Sequence, residues 1–483
     1  MLKKIIQYLL ILFLFLLPWQ TRFVYEPRFL NSGFWEYGSG SWYATEILLW
    51  IIIILSAIDL FRQKEFWQRV KAGQGNKRNV AIGILVIGYL ILEIFHSLSP
   101  SVSFNFVFRL IGAACLCVML MRTANPHPPS LSPGERGNVS SLLFAFWLGG
   151  VVQGLLACWQ FFTQSISHLP FSGIAPHTAQ ELGTFVIEVG DQRWLRAYGS
   201  FGSPNILGGF LAIIFLVGLI VYLKTPPSWK RVGLIVSQLF VTAGLLLSFS
   251  RAAWITVVVG IITLLVVMRR NKTPSCALPL TTAIEAGSRC GGIGVGEPHE
   301  NVALPNKGRD EGGGLVRPLL FSAAVVVVLF LALKPLFLVR TESLGRLEHM
   351  SLASRIQQYH NFKKIITTHP LLGVGPGAYT YALYSENKKL PVWQYQPIHN
   401  IYLLILAELG IIGLIVATAL LSYCATALWK HNRFFLPILI SIFILGLFDH
   451  WLWSMYVGHI MGTVVLAMTL SSTLLHQPRS VLE

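Results

Sequence analysis

The residues best placed to do chemistry are His399 and Asn400, which open a long apolar stretch containing Gly410 and Gly413. An imidazole that exchanges protons near neutral pH, beside an amide where a loop enters a membrane helix, suggests a site. On a helix running on from His399, Gly410 lies about 20° away in projection and Gly413 about 40° to the other side. The two glycines leave a strip without side chains beneath the imidazole, suited to close packing of a second helix or to a lipid tail. Glu408 falls about 180° around that helix and about 13.5 Å deeper. It does not reach His399 and reads as a packing or hydrogen-bonding residue.

The second group is a set of arginines. Ser250-Arg251 opens the apolar run 252–268, and Ser203-Pro204-Asn205 supplies a cap and first-turn proline to the run 206–223, just after Arg196. A cation on a helix amino terminus is unfavourable by about 0.3–1 kcal/mol unless an anion compensates. Arg251 therefore predicts a bound anion, and helix starts with arginines suit a phosphate or diphosphate; snorkelling into lipid headgroups is the competing account. Arg355 falls inside the apolar stripe Leu352, Ile356, Tyr359, Phe362 and Ile366. It either snorkels or partners a buried anion. The stripe predicts an amphipathic helix on the outer membrane face, ending before Pro370, and Gly373-Val-Gly-Pro-Gly377 predicts a tight turn after it. Asp449-His450, at the end of a further apolar run, either touches the site or caps and solvates that end.

Elements that position these residues are legible in the hydropathy. The 483 residues are 54% hydrophobic and 12% charged, with mean hydropathy +0.62, values that a water-soluble surface does not carry. Twelve apolar runs, near 5–18, 43–60, 80–96, 104–121, 141–163, 206–223, 231–248, 252–268, 318–338, 400–428, 434–448 and 452–475, predict an all-α polytopic membrane protein of about twelve spans. The first run resembles a signal peptide but lacks a small-residue cleavage site, which predicts a retained helix. Residues 1–163 form the first five helices, 164–475 a core of seven, and 476–483 a tail. Basic residues fall in alternate loops: Arg62, Lys64, Arg69, Lys71, Lys77 and Arg78, then Lys224, Lys230 and Arg231, then Arg269, Arg270 and Lys272, then Lys430 and Arg433. The positive-inside rule makes those loops cytoplasmic and puts 164–205 and 339–399, with His399 and the arginines above, on the outer face. The formal charge of +16 is thus topology signal and headgroup attraction, not nucleic-acid binding.

Two cytoplasmic stretches, 125–137 and 271–317, read as disordered insertions. The six cysteines imply no disulfide framework, and Cys276 and Cys290 lack zinc-site neighbours. The four aspartates form no Asp-x-Asp pair, which disfavours a transferase holding a nucleotide diphosphate through a metal. Serine-hydrolase and zinc-protease signatures are absent. No metal site and no cofactor is expected.

Four motifs together resemble the O-antigen ligase and polymerase superfamily: Arg196-Ala-Tyr-Gly-Ser-Phe-Gly-Ser-Pro-Asn205, Ser248-Phe-Ser-Arg251-Ala-Ala-Trp254, Ser354-Arg355 ahead of His369-Pro-Leu-Leu-Gly-Val-Gly-Pro-Gly377, and His399-Asn400 with Gly410 and Gly413. The resemblance implies a GT-C-like, metal-independent glycosyltransferase in a bacterial inner membrane, with its active site on the periplasmic face. It implies a glycan on an undecaprenyl diphosphate carrier as donor and, for ligase members, a lipid A core sugar hydroxyl as acceptor. Carried over by motif, Arg251 and Arg355, with Arg196 beside them, would bind the diphosphate. His399 would act as general base or orient the acceptor, supported by Asn205, Asn400, Gly410 and Gly413. Repeat-unit polymerases and protein oligosaccharyltransferases share these motifs. A lipid-linked glycan flippase is the alternative from another class, and would show polar groups on broken helices at the bilayer midplane.

Overall fold

A computed structural model describes residues 2–64, 67–68, 77–124, 137–169, 172–270, 315–342, 346–431 and 433–474. Residues 271–314 of the insertion 271–317, most of 125–137, Cys276, Cys290 and the tail from 475 lie outside the described residues, while Val316 and Arg317 begin a helix. Each of the twelve apolar runs is mainly helical over its described residues. They form α1 (Leu2–Leu16), α2 (Ala44–Arg62), α3 (Lys77–His96), α4 (Pro100–Ala124), α5 (Gly137–Thr163), α6 (Pro204–Lys224), α7 (Trp229–Leu247), α8 (Arg251–Arg270) and α9 (Val316–Ala332). After these come α10 (Lys334–Glu342), α11 (Arg346–Thr368), α12 (Tyr379–Glu386), α13 (Ile401–His431), α14 (Leu436–Phe448), α15 (Trp451–Ser454) and α16 (Tyr456–Leu474).

Seven described helices are long and apolar enough to cross a membrane, and up to eight if the bent pair of α9 with α10–α11 counts as one. Among the described residues the expected twelve spans are not confirmed, and three of the runs break or are short. The run 318–338 breaks at Leu333, where the chain turns through 92°. The run 452–475 breaks at Met455, and Arg433–Phe448 is a shorter apolar helix.

The core is organised around α6. Its residues are apolar on every side, so it satisfies the packing rule for a helix with no solvent face, and nearly all of them are buried. Helices α5, α7, α8 and α14 surround it. Two further sides of the protein come from α1 against α5 and from α16 against α4.

Local strand structure was not expected. Among the described residues, four two-stranded antiparallel sheets lie in the connections: β1 (Arg22–Glu26) with β4 (Gly40–Tyr43), β2 (Phe29–Leu30) with β3 (Gly33–Phe34), β5 (Ser165–Ile166) with β6 (His177–Thr178), and β7 (Val186–Val189) with β8 (Gln192–Leu195). The last pairs Val186 with Leu195 and delivers the chain to Arg196. Its loop, Gly190 at φ +59°, uses the left-handed conformation that glycine adopts without a Cβ penalty.

Candidate functional site

Helix α11 carries the site. Leu352, Ile356 and Tyr359 recur at helical spacing and are 59%, 53% and 50% exposed, while Gln358 and Ile365 on the opposite face are buried. The outward face is thus apolar, and the face turned to the protein bears polar groups, an inversion of the usual soluble pattern. Glu348, Arg355 and Gln358 each bond to a different part of the molecule, so this one helix joins three features.

At Gln358 it meets His399. The amide oxygen Oε1 accepts the backbone N–H of His399 at 3.2 Å and lies 3.0 Å from the ring Nδ1. Because the backbone group can only donate, the atom facing it must be the oxygen, and Nδ1 must then carry the ring proton. Nε2 is left with the lone pair, the form a general base requires. Burial holds the His399 pKa below the usual histidine value; the carboxylate of Asp449 pulls it up and the guanidinium of Arg355 pulls it further down. The imidazole therefore stays neutral to lower pH than a free histidine.

Of the two alternatives for Asp449-His450, contact with His399 is what the corner between α14 and α15 shows. This corner brings Asp449 and His450 against His399, with the rings of the two histidines 4.9 Å apart and near-perpendicular. One ligand-type atom from each of the three residues lies within 4.8 Å of the others, a set able to hold a cation. Other partners compete for these groups: Asp449 Oδ1 accepts the N–H of His450 at 2.7 Å, and His450 Nδ1 pairs with Ser454 Oγ at 2.7 Å. Arg355 adds positive charge to the same surroundings, and burial with these neighbours pushes His450 down to about 3. Neutral imidazoles beside one carboxylate describe the trio as well as a metal site does.

Arg355 donates to the Phe448 carbonyl at 3.4 Å, which places it next to the same corner. Arg251, at the amino end of α8, does have a compensating anion, but it belongs to the chain: Nη2 lies 2.9 Å from Glu348 Oε2. The other oxygen of Glu348 pairs with Arg340, whose Nε donates to the Phe249 carbonyl at 2.9 Å. Arg196 is 4% exposed and acts as a strut, donating to the Ser248 carbonyl at 2.9 Å and to Asn205 Oδ1 at 2.8 Å. Burial first, then Arg340 and Arg251, hold its pKa well below the usual arginine value. Asn205 is thereby fixed in the first turn of α6, where its own N–H reaches Ser203 Oγ at 3.2 Å. Asn400 caps α13 by accepting the N–H groups of Tyr402 and Leu403 at 3.0 and 3.1 Å.

The glycine strip is the largest correction. Helix α13 is not continuous: Gly410 sits at φ +64°, ψ −168° and breaks it. The segment 370–375 occupies the break. Ile411 N donates to the Pro370 carbonyl at 3.0 Å, Val374 N to that of Ala407 at 3.0 Å, and Gly375 N to that of Glu408 at 2.8 Å. A Cβ at Gly410 would stand 2.0 Å from the Leu371 carbonyl oxygen, so backbone fills the space assigned to a helix or lipid tail. At Gly413 a Cβ would meet the Leu409 side chain. Glu408 is buried and clamps this crossing: Oε2 accepts Gly377 N at 2.9 Å and Trp453 Nε1 at 2.8 Å.

Gln358, Arg340 and Glu348 were not singled out in the sequence. A signal existed for two of them. Glu348 and Gln358 lie seven residues before and three after Arg355, spacings that share a helix face. For Arg340 no local pattern marks it.

A family model described as O-antigen ligase matches residues 236–418, less than half of the chain. The match supports the O-antigen ligase superfamily drawn from the motifs, whose members are glycosyltransferase-type ligases and polymerases. The matched region holds Arg251, Arg340, Glu348, Arg355, Gln358 and His399, and leaves Arg196, Asp449 and His450 outside. A comparison with curated proteins finds no match.

Proposed function

We propose that the chain is a metal-independent glycosyltransferase that moves a glycan from an undecaprenyl diphosphate carrier to a hydroxyl of a lipid A core sugar, at the periplasmic face of a bacterial inner membrane. The observation that carries this reading is the Gln358–His399 pair, which presents a neutral imidazole with a free Nε2 beside Arg355. Arg251 of α8 and Arg340 of α10 meet helix α11 at Glu348, which lies about 15 Å from Gln358 by helical rise.

In the reaction, the acceptor hydroxyl attacks the anomeric carbon and its proton passes to His399 Nε2. The bond from that carbon to the diphosphate oxygen breaks, its electron pair leaves with the carrier, and the guanidinium groups offset the added charge. One displacement inverts the anomeric centre. His399 and Arg355 touch the reacting groups, Arg251 binds the diphosphate, and Gln358 positions His399. Arg196 serves by holding the start of α6 against the Ser248 carbonyl.

The break at Gly410 is a specific observation in favour of the transporter alternative, since broken helices bind cargo in transporters. The neighbouring backbone groups of this break, however, bond to residues 370–375 and present no vacant helix end to a ligand. That favours the enzyme. Glycan transfer by the purified protein from a synthetic diphosphate-linked donor tests it, with a lipid A core, a second donor and a peptide compared as acceptors. Turnover with the core alone is expected. Turnover only with a second donor identifies a polymerase, only with peptide a protein oligosaccharyltransferase, and none with any acceptor favours transport.

A further inference from the structure

We propose that Arg340 is a further anion-binding residue of this site and that Glu348 is its resident counter-ion, which the donor and product diphosphates must compete with for Arg251 and Arg340. The inference rests on the diphosphate reading above and adds to it a residue and a means of release.

Glu348 behaves as an anion already in place. Its two oxygens divide between two arginines, Oε2 to Arg251 and Oε1 to Arg340. The bridge is sheltered at one end and open at the other: side-chain exposures are 10% for Glu348, 13% for Arg340 and 41% for Arg251. A ligand can therefore reach the pair from the Arg251 side. The two arginines are also held as a unit, because Arg251 Nη1 donates to the Arg340 carbonyl at 3.3 Å and Arg340 Nε to that of Phe249.

Guanidinium groups are crowded in this cluster. Arg196, Arg251 and Arg340 lie close enough to depress the Arg196 pKa, and Glu348 is the carboxylate that acts on all three. The hydrogen bonds of Arg196 go to neutral acceptors. Arg196 and Arg340, 4% and 13% exposed, thus hold their charges in a poorly hydrated place, an arrangement that an arriving anion stabilises. A diphosphate diester brings two negative charges. Arginine forks match its oxygens, as they match a carboxylate.

Release is then the harder step. Cleavage at the anomeric carbon turns the diester into a terminal phosphate with one more ionisable oxygen, so the product is more negative than the donor and binds arginines more tightly. A tethered carboxylate that regains both guanidinium groups opposes this trapping. Glu348 is in the first turn of α11, and the same helix carries Arg355 and Gln358, so the exchange takes place on the element that positions His399.

The test uses the full chain in nanodiscs of zwitterionic phospholipid, with inorganic pyrophosphate titrated by calorimetry and thermal stability followed in parallel. Glu348→Gln should tighten pyrophosphate binding about tenfold, and Arg340→Gln should weaken it by a similar factor, the scale of one charge-assisted hydrogen bond. Should Glu348→Gln unfold, Glu348→Asp keeps the charge but cannot span both arginines, and a smaller tightening is expected. If Arg251→Gln weakens binding while the Glu348 and Arg340 variants leave it unchanged, the inference fails and the diphosphate reading stands. If neither Arg251→Gln nor Arg340→Gln alters it, both fail. Weaker binding in stable Glu348→Gln also overturns the proposal, because Glu348 would then be aligning the arginines instead of competing for them.

Discussion

Gln358 grips His399 twice through one oxygen, 3.2 Å from its backbone nitrogen and 3.0 Å from its Nδ1. A ring held at its base and by one nitrogen has neither rotational nor tautomeric freedom, and what remains is a lone pair in one direction. Asparagine or glutamine partners of this kind act through orientation, so loss of Gln358 should damage turnover more than binding.

Gln358→Leu is expected to lower kcat about tenfold or more with little change in KM, read from steady-state transfer. His399→Ala should remove most of the about 10²–10⁴-fold that a general base contributes. Gln358→Glu retains the acceptor and should recover part of the loss. A fully active His399→Ala would remove the base from the mechanism.

The pH dependence follows from the direction of the His399 shift. Its pKa lies below 6.5, so the acid limb of kcat/KM should fall below pH 6.5. Asp449 raises that pKa and Arg355 lowers it. Asp449→Asn should therefore move the limb to lower pH, and Arg355→Gln to higher pH. Stability should follow the same sign. Between the folded and unfolded pKa values the unfolded chain binds more protons, for His450 from 6.5 down to about 3. Stability is thus complete above about pH 6.5 and declines on acidification, which thermal unfolding at stepped pH would check.

Arg196 and Arg355 should separate in their effects. Arginine reaches the two acceptors with separate nitrogens and lysine has only one, so Arg196→Lys should lower thermal stability, leaving the Ser248 carbonyl or Asn205 without a partner. Arg355→Lys should reduce transfer without that loss. Equal stability of the two variants, with transfer lost only in Arg196→Lys, would return Arg196 to the ligand-binding set.

Gly410→Ala is expected to be severe. The φ +64°, ψ −168° conformation is essentially restricted to glycine, costs a side-chain residue about 1–3 kcal/mol, and here adds a clash with the Leu371 carbonyl. Gly462→Ala in α16 meets no atom within 4 Å and should be neutral or stabilising. Comparing melting temperatures of the two variants tests whether segment 370–375 sits in the break.

A chelator should leave transfer unchanged. If activity is lost and a divalent ion restores it, His399, Asp449 and His450 become the residues that hold the ion, and the metal-free mechanism is withdrawn.

The sequence by itself determined what depends on near neighbours. Apolar runs became helices because burial of backbone polar groups in lipid leaves few alternatives, and Ser203-Pro204 started α6 where a cap and a first-turn proline predict. The residue types of the site were visible for the same reason: an arginine or histidine beside a membrane run is conspicuous in any sequence.

Only the tertiary structure decided which of these groups meet. Glu348 reaches Arg251 across 97 residues, Asp449 and His450 reach His399 across about fifty, and no periodicity within either segment encodes such a pairing. The break at Gly410 was hidden more deeply. Apolar residues on both sides satisfy a helix pattern, and one glycine costs only about 1 kcal/mol within it. What makes the broken form stable is backbone hydrogen bonding supplied by residues 370–375, a term that exists only once two distant segments have come together.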